Sequence, residues 1–249
     1  MQIKIITMLY LIGLGLRNKD ITLNGLEAAK RCKKLYVELY TSPWEGLEEL
    51  KALTGKKITE LKRDGLEENL HELLEEAKSM DIGILIPGDP LVATTHTEIV
   101  IEAKKVGIET KVVHAPSIYS AISETGLFIY KFGKTTTIPF PQENFLPESP
   151  YEVIKENKSM GLHTLCLLDI KDRAMRPKEG LKYLLEIERK RKENVISEDE
   201  KIVVFSIKEK TYIKYDKIKN IMVEKFPTPA VLIFPGKLHF KEKEYLEII

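Results

Sequence analysis

The sequence predicts an α/β protein of two domains, 1–114 and 127–249, joined by a hinge at 115–126. Three observations predict it. Strand-like and helix-like stretches alternate at short intervals from Met8 to Val113, as in βα units that build a mainly parallel sheet. Among them Ile82–Ile86 is a short apolar run, the mark of a strand covered on both faces. At His114-Ala115-Pro116-Ser117 the alternation gives way to a proline, small hydroxyls and a short helical stretch. The hinge is placed there, with a cleft between the halves.

Composition narrows the function. A chain of 249 residues, 43% of them apolar, can bury a substantial core. Its 39 basic and 38 acidic residues leave a net charge of +1, which does not favour a polyanion such as nucleic acid as partner. No apolar run approaches the roughly 20 residues that span a bilayer, and the N-terminus lacks the apolar core of a secretory signal. A cytoplasmic protein without a membrane partner is expected. The two cysteines, Cys32 and Cys166, belong to no C-x-x-C pair, and the five histidines have no metal-ligand spacing. Buried, reduced thiols and no metal follow.

In chain order, the first strand is Met8–Ile12, running into Gly13-Leu14-Gly15-Leu16. This is only G-x-G; it means close backbone approach, either to a ligand or to the next helix. Asp20 or Thr22 starts a helix carrying Leu23, Leu26 and Ala29, and Leu35–Tyr40 is the second strand. A short helix with Leu47, Leu50 and Leu53 closes at Gly55. Lys57–Leu61 is the third strand. The next helix has the clearest stripe, Leu66, Leu70, Leu73, Leu74 and Ala77, with Asp64 as cap backed by Glu67. After the central strand a helix starts near Thr94 or Thr95, with Glu98 placed as in a capping box, and stops at Gly107. Ile108–Val113 is the fifth strand.

In the second half, strands are expected at Phe128–Tyr130, Thr136–Phe140, Thr164–Leu168, Ile202–Ile207 and Val231–Phe234. Ser149-Pro150 with Glu152 reads as cap, first-turn proline and capping-box acid. Pro177 opens a helix with Leu181, Leu184, Leu185 and Glu188. The proline-punctuated stretch from Pro139 to Pro150 is long for an internal connection, so Phe140, Phe145, Leu146 and Tyr151 are candidate anchors for a partner or plain packing residues.

The chemistry gathers at three strand ends: Gly13-Leu14-Gly15-Leu16, Pro87-Gly88-Asp89-Pro90 and Ala115-Pro116-Ser117-Ile118. In open α/β sheets ligands bind at the carboxyl ends of the strands. Two prolines hold Asp89 on a stiff backbone, and Gly88 permits a sharp turn. There is no G-x-S-x-G elbow, no phosphate-binding P-loop and no full dinucleotide fingerprint. What remains is a small ligand, polar and uncharged to cationic, held by backbone groups, one carboxylate and apolar walls. Thr94 and Thr95 read first as helix caps, and His96 either touches substrate or sits on the first helical turn.

These blocks, with Tyr10-Leu11-Ile12 before the first, Leu91-Val92-Ala93-Thr94-Thr95-His96 after the second, and His114 before and Tyr119-Ser120 after the third, resemble the diphthine synthase family, most closely in its archaeal form. So do Tyr130–Thr135, His163–Lys171 and Pro235–Phe240. The likeness runs in order from Met8 to about Tyr245. It implies the tetrapyrrole-methylase fold: a mainly parallel sheet in the N-terminal domain, a mixed sheet in the C-terminal domain, and S-adenosylmethionine in the cleft between, usually in a homodimer. The implied reaction is methylation of the amino nitrogen of the aminocarboxypropyl-histidine of translation elongation factor 2, on the way to diphthamide, with S-adenosylhomocysteine as by-product.

The implied cofactor contacts are Leu16, Asp89, Val92, Ser117, Ile118 and Leu168. At two further contacts this chain departs from the family: Glu209 stands where the family has a small alanine, and Ala230 where it has a histidine. The loop after Asp169-Ile170-Lys171 is also short for the family. Other readings stay open, namely a tetrapyrrole or ribosomal RNA methyltransferase of the same fold, or a non-catalytic homologue. The reaction does not demand a general base, because an α-amino group of pKa about 8 is partly neutral at pH 7. No catalytic residue is assigned from sequence, and the number of methyl groups is open.

Overall fold

The computed structural model describes residues 7–141, 146–171 and 173–249. Phe145, the first six residues and the Glu67 side chain, with the roles expected of them, lie outside that description. The chain divides into two compact units between Ile118 and Tyr119.

Unit 1 runs β1 (Met8–Gly13), α1 (Leu23–Arg31), β2 (Lys34–Glu38), α2 (Leu47–Thr54), β3 (Ile58–Leu61), α3 (Arg63–Glu67), α4 (Leu70–Ala77), β4 (Ile82–Ile86), α5 (Thr97–Lys105) and β5 (Glu109–Val113). All five strands are parallel, in the order β3-β2-β4-β1-β5. Right-handed crossovers decide which face each helix covers. From β1 to β2 to β3 the chain moves one way across the sheet, and α1 and α2 pack on one face with Tyr10, Ile12, Val37 and Leu85. From β3 to β4 to β5 it moves back, and α3, α4 and α5 pack on the other face with Leu9, Leu11, Ile82 and Ile84. The period-two alternation of β1 between these cores is what a doubly covered strand requires.

The helices of unit 1 correct the sequence reading in three places. Thr22 does cap α1, its Oγ1 accepting from Gly25 N at 3.0 Å. The buried stripe, however, is Gly25, Ala28 and Ala29, while Leu23 is 82% exposed. Small residues let the helix lie close on the sheet: a Cβ on Gly25 would stand 3.3 Å from Ile12 Cγ2. The single helix read over Leu66–Ala77 is two. Asn69 leaves helical geometry at φ −111° and ψ 22°, although the five apolar residues still share one core. Asp64 caps neither helix with its side chain. Finally, α5 starts at Thr97, without the capping box read at Thr95 and Glu98.

Unit 2 begins with α6 (Ile118–Ala121), a helix that straddles the division, and two 3-10 turns, Ile122–Thr125 and Ile129–Lys131. Then come β6 (Thr136–Ile138), α7 (Ser149–Ser159), β7 (Thr164–Leu168), α8 (Pro177–Arg191), β8 (Lys201–Ile207), β9 (Thr211–Lys217), α9 (Ile218–Ile221), β10 (Ala230–Phe234) and α10 (Phe240–Leu246). The sheet is mixed, in the order β6-β7-β10-β8-β9, with only β6 and β7 parallel. Its main core joins Cys166, Ile202, Val204, Leu232 and Phe234 to Ile154, Leu181, Leu184 and Ile187 of α7 and α8. Phe128–Tyr130, read as a strand, is instead a chain segment leading into a 3-10 turn. Pro150 sits in the first turn of α7, but Ser149 makes no side-chain cap. Tyr151 is fully buried and Phe140 and Leu146 pack on the core, so these three are structural rather than partner anchors.

Candidate functional site

Three adjacent strands of unit 1, β4, β1 and β5, deliver their carboxyl ends side by side. Their loops touch through backbone. Leu14 N donates to Ile86 O at 2.8 Å; Gly15 N donates to Gly88 O at 3.1 Å, and Gly88 N returns a bond to Gly15 O at 2.8 Å. Both glycines have positive φ, 73° and 71°, a region that costs an L side chain about 1–2 kcal/mol. A Cβ on Gly13 would collide with Ala115 Cβ at 2.7 Å and Gly88 O at 2.8 Å, so all three loops meet at this residue. Before Gly88 there is open space instead, with nothing within 4 Å of where a Cβ would stand.

Asp89 ties two of the loops together. Its Oδ1 accepts from Leu91 N at 3.1 Å; its Oδ2 accepts from Ala115 N at 3.3 Å and from His114 Nδ1 at 2.8 Å. About three of the four acceptor positions of the carboxylate are thus engaged within the protein. The Asp89 side chain is 7% exposed, whereas that of His114 is 70% exposed. Val92 follows in a turn closed by Val92 N on Asp89 O at 3.2 Å, and Ala93 adopts φ 57°. Asp20 arranges the β1 loop, its Oδ2 accepting from Leu16 N at 3.2 Å and Arg17 N at 2.9 Å.

His96 lies beneath this loop. It is buried, with Nδ1 3.2 Å from Pro90 O. A carbonyl only accepts, so Nδ1 carries the hydrogen. Its Nε2 has no hydrogen-bond partner among the described residues and stands 3.7 Å from Oε1 of the buried Glu38. His96 therefore belongs to the packing under the loop rather than to its exposed face. Glu38 itself takes Thr41 N at 3.1 Å and the Thr41 hydroxyl.

The sequence candidates fall into two groups. Leu16, Asp89, Val92 and Ser117 sit in unit 1 on the loops of these three strands, and Ile118 opens α6 at the end of the third; Leu16, Val92 and Ile118 are half-buried and Ser117 is buried. Leu168, Ala230 and Glu209 sit in unit 2, at one end of its sheet: the last residue of β7, the first of β10, and the turn from β8 to β9. The Leu168 and Ala230 side chains are in the unit 2 core, which leaves their backbone as what they can offer a ligand. Glu209 is exposed in the turn closed by Lys208 N on Lys210 O at 3.2 Å. Sequence reasoning assigned no role to His114 or Glu38. Each had a signal in its place: Glu38 is the last residue of β2 and His114 the first after β5.

A second built cluster lies in unit 2 and joins the sequence blocks around Lys131, His163 and His239. Glu242, fully buried on α10, accepts from Phe128 N at 2.8 Å, from His239 N at 2.7 Å and from Lys131 Nζ. His163 Nδ1 accepts from Gly236 N at 2.9 Å, so Nε2 carries the proton that His163 gives Glu242 Oε1 at 2.9 Å. Burial lowers the His163 pKa, with Glu242 opposing it only in part, and the ring stays neutral. Burial alone would raise the Glu242 pKa, but its donors outweigh that and bring it down to about 2.

The two-sheet α/β fold is that of the tetrapyrrole methylases, and the model of the Tetrapyrrole (Corrin/Porphyrin) Methylases matches residues 8–211. The diphthine synthase of Methanocaldococcus jannaschii is 51% identical over an alignment of 255 positions, covering 97% of this chain and 98% of the relative. That of Methanococcus maripaludis is 49% identical over 253, with the same coverage. A crystal structure of a diphthine synthase superposes with a TM-score of 0.89 at 35% identity, covering 97% of this chain and 95% of that one. The chain belongs to the diphthine synthase family of methyltransferases.

Proposed function

We propose that this protein methylates the amino nitrogen of the aminocarboxypropyl-histidine of translation elongation factor 2, with S-adenosylmethionine as donor. The observation that carries the reading is the full-length match, near one-half identity, to diphthine synthases. The unit 1 site fits the donor. Gly88 faces open space, Leu16, Val92 and Ile118 offer apolar surface, and Asp89 adds a carboxylate to a site otherwise built of backbone and apolar groups. Such a set suits a ligand that is part apolar and part cationic. When bound, S-adenosylmethionine supplies an electrophilic methyl group on sulfur.

The contribution of the chain is placement. Loops that hydrogen-bond to one another and share Asp89 as a tie hold their shape before a ligand arrives, and positioning supplies much of the acceleration in a methyl transfer. Ala230 does not weaken this reading, because the position offers only backbone to a ligand. A homodimer acting in the cytoplasm on a protein substrate completes the proposal. None of the helices among the described residues is long and apolar enough to cross a membrane. The test is mass spectrometry of elongation factor 2 carrying the modified histidine, after incubation with this protein and the donor. A mass gain of whole methyl groups at that histidine is expected. No gain there, with gain on a tetrapyrrole or ribosomal RNA, would replace the reading.

A further inference from the structure

The three histidines described above beside carboxylates differ in what they leave free. In His163 both ring nitrogens are used inside the fold, and in His96 both face buried groups. Among the described residues His114 is held by one nitrogen only: Asp89 Oδ2 accepts from its Nδ1 at 2.8 Å. With the proton fixed on Nδ1, a neutral ring keeps its lone pair on Nε2. The side chain is 70% exposed and belongs to none of the hydrophobic cores of the described residues, while the carboxylate behind it is 7% exposed and held by two backbone N–H groups. A buried carboxylate that orients an exposed imidazole is the arrangement of a general base. It stands at the carboxyl ends of parallel strands, where ligands of such sheets bind.

We propose that His114 is the general base of the methyl transfer, with Asp89 as the residue that sets its tautomer; this rests on the functional reading above. The acceptor amine is mostly protonated at neutral pH, and only its neutral form has a lone pair to attack. In the proposed step the acceptor N–H proton passes to His114 Nε2. The freed lone pair forms the N–C bond to the methyl carbon, and the C–S bond breaks with its electron pair remaining on sulfur. The exposed ring then releases its proton to water before the next transfer. Because about a tenth of the amine is neutral without help at pH 7, loss of the base costs less than the upper range for such groups, roughly 10- to 100-fold.

The experiment compares wild type, His114→Ala and His114→Gln. Turnover is followed by mass spectrometry on elongation factor 2 bearing the aminocarboxypropyl-histidine, and S-adenosylhomocysteine binding by calorimetry. The expected result is a kcat lower by about 10- to 100-fold in both variants, with the acceptor KM and by-product affinity within a few-fold of wild type. Added imidazole should restore His114→Ala, where it can occupy the vacated space, but not His114→Gln, where the amide fills it. Unchanged kcat in His114→Ala would overturn the proposal, as would a loss that tracks weakened by-product binding and ignores imidazole. A wild-type protein that binds no S-adenosylhomocysteine would overturn the functional reading itself, and this assignment with it.

Discussion

The Asp89–His114 pair of unit 1 and the Glu242–His163 pair of unit 2 are built from the same two side-chain types at nearly the same distance, 2.8 and 2.9 Å. They do opposite work. In unit 2 both partners are fully buried and every polar atom is spent: the carboxylate gathers two backbone N–H groups, a lysine and the imidazole, and the ring's far nitrogen is occupied by Gly236 N. Such a network is costly to break and has nothing left to offer a ligand. In unit 1 the carboxylate is buried but the ring is not. Burial of the second partner, more than the contact itself, separates a structural clamp from a reactive pair.

The largest effect expected from breaking this contrast is at Glu242. Glu242→Ala should strand the donors of Phe128, His239, His163 and Lys131, at a cost of about 3–5 kcal/mol, read by urea unfolding. Acid should act on the same cluster in two stages. Burial lowers the His163 pKa below its usual 6.5, so as pH falls through that value the unfolded chain takes up a proton that the folded ring refuses, and stability falls. Glu242 is at about 2 in the fold against 4.5 unperturbed, so its contribution is complete above 4.5 and is lost as pH drops towards 2. Loss of the second stage in Glu242→Gln would confirm the assignment; an unchanged acid profile would refute it.

Next in size is Gly13→Ala, which attacks the unit 1 pair through its frame. The new methyl would meet Ala115 Cβ at 2.7 Å, Gly88 O at 2.8 Å and Pro90 Cδ at 3.0 Å, pushing apart the loops that Asp89 joins. We expect about 1–3 kcal/mol of destabilisation and weaker S-adenosylhomocysteine binding by calorimetry. Gly88→Ala has open space before it and only its φ of 71° against it. It should cost about 1 kcal/mol, and any larger loss of binding would report the ligand itself.

Asp89→Asn comes third. The amide keeps the shape but accepts at one end only: with its oxygen towards Leu91 N–H, both Ala115 N–H and His114 Nδ1–H lose their acceptor, and with it towards those two, Leu91 N–H loses its own. About 1–2 kcal/mol should be lost, and the preference of the His114 proton for Nδ1 should weaken, because an amide oxygen accepts less strongly than a carboxylate, visible in nitrogen NMR of the ring. Tautomer populations unchanged from wild type would show that the carboxylate does not set the tautomer.

How much of this was legible in the sequence follows from the kind of signal. Strand β4 and its loop were readable because a doubly covered strand is continuously apolar and because Gly, Pro and Asp at its end restrict the backbone in known ways. Asp89 stood out by that signal, whereas Leu16, Val92, Ser117 and Ile118 came as contacts from family resemblance alone. The stripe of α1 was misread because the residues that bury there are small, Gly25, Ala28 and Ala29, while the eye follows Leu23. The break at Asn69 leaves the apolar periodicity intact and so leaves no mark in it. The edge strand β9 mixes Tyr212 and Ile213 with Lys214, Asp216 and Lys217, as half-exposed edges do. The hidden part of the site is pairing: that Asp89 meets His114, and Glu242 meets His163, depends on residues 25 and 79 apart in the chain, which no local pattern encodes.

The smallest stability effect is expected where the catalytic one is largest. His114→Ala removes a side chain that is 70% exposed, so little apolar area is lost and the space left is open to solvent. Asp89 keeps Leu91 N–H and Ala115 N–H, and water can take the place of an imidazole that was itself 70% exposed. The change in unfolding free energy should stay within about 0.5 kcal/mol, the usual range for a surface substitution. His163→Ala should instead cost about 3 kcal/mol or more, because it opens a cavity and strips both Glu242 and Gly236 N–H of a partner that water cannot reach. Paired urea titrations of the two variants measure the contrast directly. Equal losses would mean that His114 is as much a part of the fold as His163, and the distinction drawn from exposure would fail.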